Sequence, residues 1–342
     1  MDVLNVVYAC DDNYAPYACV SMCSLLENNR KDFDEINIYV VLSQVTQDNT
    51  NRLRKQSEEY HANFIPVDAQ EVICEIKKLK MPEYRGSYAT NFRLFFHKYI
   101  KSDVEKFFYL DCDTIVLGSL KGICQHDMGD KCACVVQDAL TSSYKLLLGF
   151  KPEEPYFNAG VMFIDVRNWK KNNCTEHMIE HLKYKRSTYC NPDQDLLNIE
   201  LKNMVEYIDP EYNFQPIHRM LSNKTYNKIY INPSYYSAGQ LEYAQNNPVI
   251  LHTYRFLGEF PWHAGNRHPD TEIFDSYMKK SYQKDYVKKV ANVGTIMKIE
   301  KMMYLILPGS LFFRIFKKFF DIDYKRRNQK YVNELNNAEI NK

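Results

Sequence analysis

Two carboxylates follow directly on a strongly apolar stretch of the sequence, EKFFYLDCDTIVLGSL at residues 105–120. Asp111 and Asp113 are separated only by Cys112, and such a pair approaches one divalent cation if the chain leaves extended geometry there. Without a cation, two carboxylates this close raise each other's pKa. The pattern therefore predicts a Mg²⁺ or Mn²⁺ site that also holds a diphosphate, and the alternative is a solvated strand end with an ordinary turn.

The elements around this pair predict a mostly parallel α/β sheet. Residues 3–9 and 36–42 are apolar runs typical of strands, and each is followed by a helical pattern, the second with Thr46 as its N-cap. Continuous apolar strands that alternate with helices indicate a sheet covered on both faces. Ligands bind beyond the carboxyl ends of the strands in such sheets, so the polar residues at those ends are the candidate site. The sequence has no GxGxxG fingerprint and no P-loop, which argues against a nicotinamide, flavin or P-loop enzyme.

Composition restricts the function classes further. The 342 residues contain 44 Lys and Arg against 43 Asp and Glu, so bulk charge gives no reason to expect a nucleic-acid partner. The ten cysteines include no CxxC pair, and we expect reduced core thiols of a cytosolic protein. The N-terminus lacks the basic and long apolar regions of a signal peptide and is interpreted as the first strand.

Further polar clusters lie at other predicted element ends. The stretch YACDDNYAPY follows the first strand, and its polar residues either bind a base or ribose or form a helix N-cap. Residues 193–201 predict a helix with Gln194 at its start, and a short strand ends at His252. Taken alone, Gln194 is an ordinary polar residue of a helix start, and a lone histidine after a strand is more often structural than a metal ligand.

The last 40 or so residues are apolar, aromatic and basic together. A helix there would carry an apolar arc opposite Arg314, Lys317 and Lys318. One interpretation is an amphipathic helix drawn to an anionic membrane surface, and the other is a helix that docks its Phe-rich face on the preceding α/β part of the chain. Pro308 and Gly309 interrupt the apolar run, so we do not expect a membrane span. The apolar arc comprises Leu311, Phe312, Ile315, Phe316, Phe319 and Phe320.

Six motifs in order resemble those of the family 8 glycosyltransferases, retaining enzymes that use nucleotide sugars, and within them the bacterial lipooligosaccharide galactosyltransferases. The similarity extends from residue 2 to about residue 263. Each motif alone would be weak evidence for the family, and the six in order are specific. The motifs are YACDDNYAPY, FRLFFHKYI, FFYLDCDTIVLGSL, YFNAGVMFID, DQDLLN, and His252 followed by PWH.

The resemblance implies a GT-A Rossmann-like fold and a set of site residues. Asp111, Asp113 and His252 would hold Mn²⁺ (or Mg²⁺), with Cys112 packed beside the nucleotide. Gln194 and Asp193 would lie beneath the donor sugar, where Gln194 either steadies positive charge on the sugar or acts as a weak nucleophile. The remaining donor contacts implied by the family are Ala9, Asp11, Asn13, Arg93, Asn158 and Ala159.

The segment after His252 departs from the family pattern. The family usually has a glycine soon after the metal histidine and a lysine two residues before the tryptophan, where this chain has Phe260. We expect the diphosphate contact to pass to Arg255 or to the main chain near Gly258, with Arg85 as a further source of positive charge.

These expectations combine into one prediction. Residues 1–265 form the GT-A catalytic domain and 266–342 a helical, basic appendage. The chain transfers a hexose from a UDP-sugar to a saccharide or glycolipid acceptor, in the cytoplasm and peripherally on the inner face of the membrane, without a nucleic-acid partner. The alternatives are a nucleotidyl- or phosphotransferase that uses the same carboxylates, and a UDP-binding membrane adaptor that has lost catalysis.

Overall fold

The computed structural model describes residues 2–83, 86–184, 189–220 and 235–340, with Tyr184, Met220 and 330–340 described by their backbone alone. Seven strands form one sheet in the order β3-β2-β1-β4-β7-β6-β8, and among these β7 alone runs antiparallel to its neighbours. The strands are β1 Val3–Asp11, β2 Glu35–Ser43, β3 Asn63–Asp68, β4 Lys106–Leu110, β6 Ala133–Gln137, β7 Phe157–Asp165 and β8 Val205–Tyr207. The predicted mostly parallel α/β sheet is confirmed.

Helices cover both faces of this sheet. Two 3₁₀ helices, Ala89–Lys98 and Pro210–Asn213, accompany the α-helices. The α-helices in chain order are α1 Ala15–Asn29, α2 Gln47–Glu59, α3 Gln70–Lys78, α4 Lys121–Cys124, α5 Ser142–Leu147, α6 Val166–Lys171, α7 Cys174–Tyr184, α8 Pro192–Glu200, α9 Pro216–Met220, α10 Ala238–Asn246, α11 Thr271–Lys280, α12 Thr295–Ile306 and α13 Gly309–Ile340.

Strand alternation divides the core into two halves. Val6 and Tyr8 of β1 point to the face covered by α1, whereas Val7 and Ala9 point to the opposite face. All these side chains are buried, which explains why the sequence shows continuous apolar runs. The hydroxyl of Thr46 caps α2 by accepting from the backbone N–H of Asn49 at 3.4 Å, as the sequence predicts.

A small second sheet connects distant parts of the chain. Strand β5, Thr114–Val116, pairs antiparallel with β9, Ile250–His252, so that Thr114 lies opposite His252. The pairing is extended by one position, because the Thr253 N–H donates a hydrogen bond of 2.7 Å to the Asp113 carbonyl. The pairing therefore brings the end of β9 to the carboxylates that follow β4.

The C-terminal part of the chain packs in two different ways. Helix α11 packs on α1, and its Phe274 and Met278 belong to the same core as β1, so residues just after 265 are integrated with the catalytic fold. A further pair of short strands, β10 His263–Ala264 and β11 Lys289–Val290, precedes α12 and α13. No described helix combines the length and the apolar character that a membrane crossing requires.

Candidate active site

Asp111, Asp113 and His252 form a three-residue cluster at the carboxyl end of β4. One ligand atom from each lies within 4.8 Å of the others, and His252 Nε2 is 3.3 Å from Asp113 Oδ1 and 3.9 Å from Asp111 Oδ2. Two hard carboxylates and one imidazole suit a divalent transition metal, so the donor set fits Mn²⁺ better than Mg²⁺. The structure thus brings together all three residues predicted as metal ligands.

A chain of amide side chains fixes the orientation of His252. The carboxylate of Asp138, which can only accept, receives the Asn158 amide at 3.2 Å; the Asn158 oxygen receives the Asn213 amide at 3.1 Å. The Asn213 oxygen then lies 3.1 Å from His252 Nδ1. Since that oxygen accepts, Nδ1 carries a proton and Nε2 faces the two carboxylates, the arrangement that metal-binding histidines use.

The electrostatics of His252 agree with a cation site. Burial by itself lowers the pKa of the imidazole, but the carboxylates of Asp113 and Asp111 outweigh it and raise the pKa of His252. The same negative charges that favour a proton at Nε2 favour a metal ion there.

Gly160 leaves the space that the cluster occupies. A Cβ built at this position would lie 2.2 Å from His252 Cε1 and 2.6 Å from Asp111 Oδ2, far inside van der Waals contact. Only a residue without a side chain therefore lets β7 pass this close to the ligands.

Arg93 connects the start of α8 to the candidate metal site of Asp111, Asp113 and His252, called the metal cluster below. Its guanidinium lies 2.7 Å from Asp111 Oδ1 and 3.0 Å from Asp193 Oδ2, and it also donates to the Ala159 carbonyl. Burial raises the pKa of Asp111 and of Asp193, and the charge of Arg93 opposes the rise at both carboxyl groups. Arg93 is only 3% exposed, so this network is well shielded from solvent.

The side chain of Gln194 is held at both ends. Its carbonyl oxygen accepts from the Ala159 N–H at 3.0 Å, and its amide nitrogen donates to Asp138 Oδ2 at 3.0 Å.

The neighbouring Asp195 is fully buried and does not line the cleft. Its carboxylate accepts hydrogen bonds from Tyr144, Tyr156 and the backbone N–H of residue 191. Burial raises the pKa of Asp195 to about 6.

The residues predicted to contact the nucleotide lie along the end of β1. Ala9, Asp11, Asn13 and Cys112 line one cleft with the metal cluster. Asp11 Oδ1 also accepts from the N–H groups of Asn13 at 3.0 Å and Tyr14 at 3.1 Å, so its carboxylate stabilises the turn into α1 as well. The Cys112 thiol donates to the Ala9 carbonyl at 3.3 Å and ties the two strand ends together.

The unusual segment after His252 is divided between the cleft and α12. Arg255 and Phe260 line the cleft, and Phe260 stacks on Trp262 with ring centroids 4.4 Å apart. Gly258, with φ of +82°, instead faces α12, where an added Cβ would lie 2.9 Å from Met297 Cε. The structure therefore does not bring Gly258 into the cleft, and Arg85 lies outside the described residues.

The cleft has a volume of about 510 Å³. One half of it is lined by polar side chains and the other half by apolar side chains. The polar half contains the metal cluster, Asp193 and Gln194. The apolar half includes a wall from α13, which the sequence motifs do not reach. A volume of this size is typical of pockets that enclose a small organic ligand.

The sequence profile of glycosyl transferase family 8 matches residues 5–264, which include β1, Asp111, Asp113 and His252. The chain belongs to glycosyl transferase family 8. A Haemophilus influenzae protein that is provisionally named a glycosyltransferase is 31% identical over 229 residues, 65% of this chain and 66% of that protein. Lipopolysaccharide 1,2-glucosyltransferase of Escherichia coli K12 is 24% identical over 289 residues, 83% of this chain and 80% of the relative.

A solved structure shares the fold of this family 8 member. Galactosyltransferase LgtC, crystallised with donor and acceptor sugar analogs, superposes with a TM-score of 0.62 at 24% identity, over 81% of this chain and 96% of LgtC. The predicted GT-A type of fold is confirmed by this likeness, and the family makes the chain a glycosyltransferase.

Three residues of the site were not singled out from the sequence. Asp138 follows directly on β6, and the rule that polar residues at strand ends form the site could have found it. Gly160 lies inside the FNAG motif, next to two predicted residues. Asn213 carries no local signal, because its role depends on the bridge between Phe214 and Leu251 that sets it beside His252.

Proposed function

We propose that this chain is a metal-dependent hexosyltransferase that transfers galactose or glucose from a UDP-sugar, with retention at the anomeric carbon, to a saccharide or glycolipid acceptor. The observation that carries the proposal is the convergence of Asp111, Asp113 and His252 in a cleft whose wall also contains Asp193 and Gln194. The names of the Escherichia coli relative and of LgtC support glucose and galactose as donor sugars.

The proposed roles follow from the contacts of each residue. The chemistry that Mn²⁺ or Mg²⁺ would supply at Asp111, Asp113 and His252 is Lewis-acid stabilisation of the charge on a departing diphosphate. Arg93 holds Asp111 and Asp193 in fixed orientations, and Arg255 offers the diphosphate a second cation in place of the family's lysine. Ala9, Asp11, Asn13 and Cys112 would contact the nucleotide, and Asn158 the sugar. Ala159 is buried and does not line the cleft, so it acts through its backbone contacts to Arg93 and Gln194.

Reaction on the front face of the sugar fits the surroundings of Gln194. An amide is a weak nucleophile, and the oxygen of Gln194 already accepts a hydrogen bond from Ala159. The carboxylate of Asp193 is paired with Arg93, while that of Asp195 is enclosed by tyrosine hydroxyls. We therefore expect no sugar adduct in mass spectra of the quenched enzyme during turnover, and an adduct on any of these side chains would establish double displacement instead.

A panel of UDP-sugars with Mn²⁺ and without acceptor tests the activity. We expect slow release of UDP and free sugar from UDP-galactose or UDP-glucose, and loss of that reaction in Asp113→Asn. Release of UMP or phosphate would indicate the nucleotidyl- or phosphotransferase. Tight UDP and Mn²⁺ binding with no hydrolysis of any donor would indicate the adaptor.

We also propose that α12 and α13 bind the anionic inner face of a membrane. Their outward side chains Ile306, Phe319 and Ile322 are 73%, 66% and 65% exposed, and Arg314 and Lys318 are exposed nearby. Apolar and basic side chains together suit a surface of anionic lipid.

Vesicle sedimentation tests this membrane contact without removing the helices. Ile306→Glu combined with Phe319→Glu should abolish sedimentation with phosphatidylglycerol vesicles, because both positions face outward. Tyr243→Glu is the matched control, since Tyr243 is 59% exposed on α10. Equal binding by the double variant and the wild type would refute the membrane contact.

A further inference from the structure

Four aromatic side chains on α13 form a continuous ladder along the wall of the active-site cleft. They are spaced one helical turn apart, and successive ring centroids are 5.4, 4.4 and 5.5 Å from each other. At 1.5 Å per residue, the ladder extends over about 18 Å. The aromatic ladder consists of Phe312, Phe316, Phe320 and Tyr324, and all four line the cleft that contains the metal cluster.

Exposure along the ladder is greatest at its third ring. Phe312 is 1% exposed, Phe316 is half-buried, Phe320 is 38% exposed and Tyr324 is half-buried. Phe319 and Ile322 are exposed on the outward side of α13 and do not line the cleft. The apolar wall of the cleft reaches solvent at Phe320.

Docking of α13 on the rest of the fold explains the two ends of this ladder but not its middle. Phe312 and its neighbour Phe313 are buried in a cluster with Tyr235, Tyr236 and Leu241. Phe316 packs at the margin of that cluster, and Phe320 is not part of it, yet both turn a face to the cleft. At the other end, Tyr324 stacks on Tyr144 with ring centroids 4.2 Å apart and packs against the buried cluster of Leu140, Tyr144 and Tyr156. The two middle rings, Phe316 and Phe320, therefore present to the cleft the aromatic surface that these contacts do not cover.

The chemistry of the ladder indicates its occupant. Phenylalanine has no hydrogen-bond donor or acceptor, so the two middle phenylalanines recognise apolar surface and not the hydroxyl pattern of a sugar. Phe316 and Phe320 lie about 6 Å apart along α13, and the surface that they form reaches solvent at Phe320, so a hydrocarbon chain bound there can leave the cleft. We propose that the aromatic ladder binds the hydrocarbon portion of a lipid-linked saccharide acceptor, whose sugar end reaches the polar half of the cleft; this inference rests on the proposed function.

Paired alkyl glycosides test the inference on the full-length protein. Methyl and octyl β-D-glucosides, and the corresponding galactosides, share a sugar and differ in the alkyl chain. With UDP and Mn²⁺ present and below the critical micelle concentration, calorimetry should show the octyl compound binding at least tenfold more tightly. The double variant Phe316→Ala, Phe320→Ala should lose about tenfold of that advantage, because it removes the apolar surface. Phe319→Ala, adjacent on the outward face, is the matched control and should retain the advantage.

Each other outcome has a defined meaning. Equal affinity for methyl and octyl glycosides in the wild type would overturn the inference. So would an octyl advantage that persists in the double variant, or one that Phe319→Ala removes, since the chain would then bind the outer surface. Equal weakening of the binding of both glycosides would show that the ladder stacks on the sugar, and would also overturn the inference.

Phe320→Ala alone tests the inference if the double variant does not fold, because Phe320 is 38% exposed. Failure of the donor-hydrolysis panel with a retained octyl advantage would refute the transferase activity and not the apolar site.

Discussion

Substitution of Gly160 by alanine tests how closely the metal cluster depends on β7. The new Cβ would lie 2.2 Å from His252 Cε1 and 2.6 Å from Asp111 Oδ2. Ordinary contact begins near 3.4 Å, so the imidazole must move by about 1 Å. The flanking hydrogen bonds to Asn213 and Arg93 restrict that movement. A displacement of this size from reacting geometry costs about 100-fold in rate, and overpacking of a core costs about 1–3 kcal/mol.

Mn²⁺ titration, donor hydrolysis and urea unfolding measure these effects on Gly160→Ala. We expect the affinity for Mn²⁺ and the hydrolysis rate each to fall by about 100-fold, and the free energy of unfolding to fall by about 1–3 kcal/mol. Gly239→Ala is the control, because Gly239 lies in α10 with no atom within 4 Å of the added Cβ. Wild-type Mn²⁺ affinity and hydrolysis in Gly160→Ala would refute the claim that this glycine makes room for the ligands.

Three further predictions follow from buried contacts. Arg93→Met leaves the carboxylates of Asp111 and Asp193 without their cation, and should lower the free energy of unfolding in urea by about 3–5 kcal/mol; a loss below about 1 kcal/mol would contradict this. Asn213→Leu removes the acceptor that fixes the imidazole of His252, the proposed metal ligand, and should weaken Mn²⁺ binding by about 10–100-fold in calorimetry, whereas unchanged affinity would exclude that role. The folded-state pKa of Asp195, about 6, lies above the usual pKa of 3.8, so folding takes up a proton at pH values between the two. The stability of the wild type relative to Asp195→Asn should therefore fall by about 3 kcal/mol as pH rises from 3 to 7 in urea titrations, and a flat difference would contradict the shift.

Local pattern predicted the parts of the fold that local physics controls. The end of β4, the helix α1 and the cap of α2 were predictable because a buried strand, an apolar helical period and an N-cap each leave a signal within a few residues. The candidate site was predictable in outline, because polar residues at strand ends of such a sheet converge. The motif order supplied the residues that we propose contact the donor.

What the sequence by itself determined was the type of sheet, the two carboxylates at a strand end and the family that those motifs share. Only the tertiary structure decided that Thr253 and Asp113, 140 positions apart, would bond and set His252 beside the carboxylates. It also decided that Gly258 faces α12 and that the apolar arc of α13 is split between the cleft and the outer surface. The physical reason is that a helical wheel gives the direction of a side chain relative to its own helix, whereas its partner depends on contacts between segments far apart in the chain.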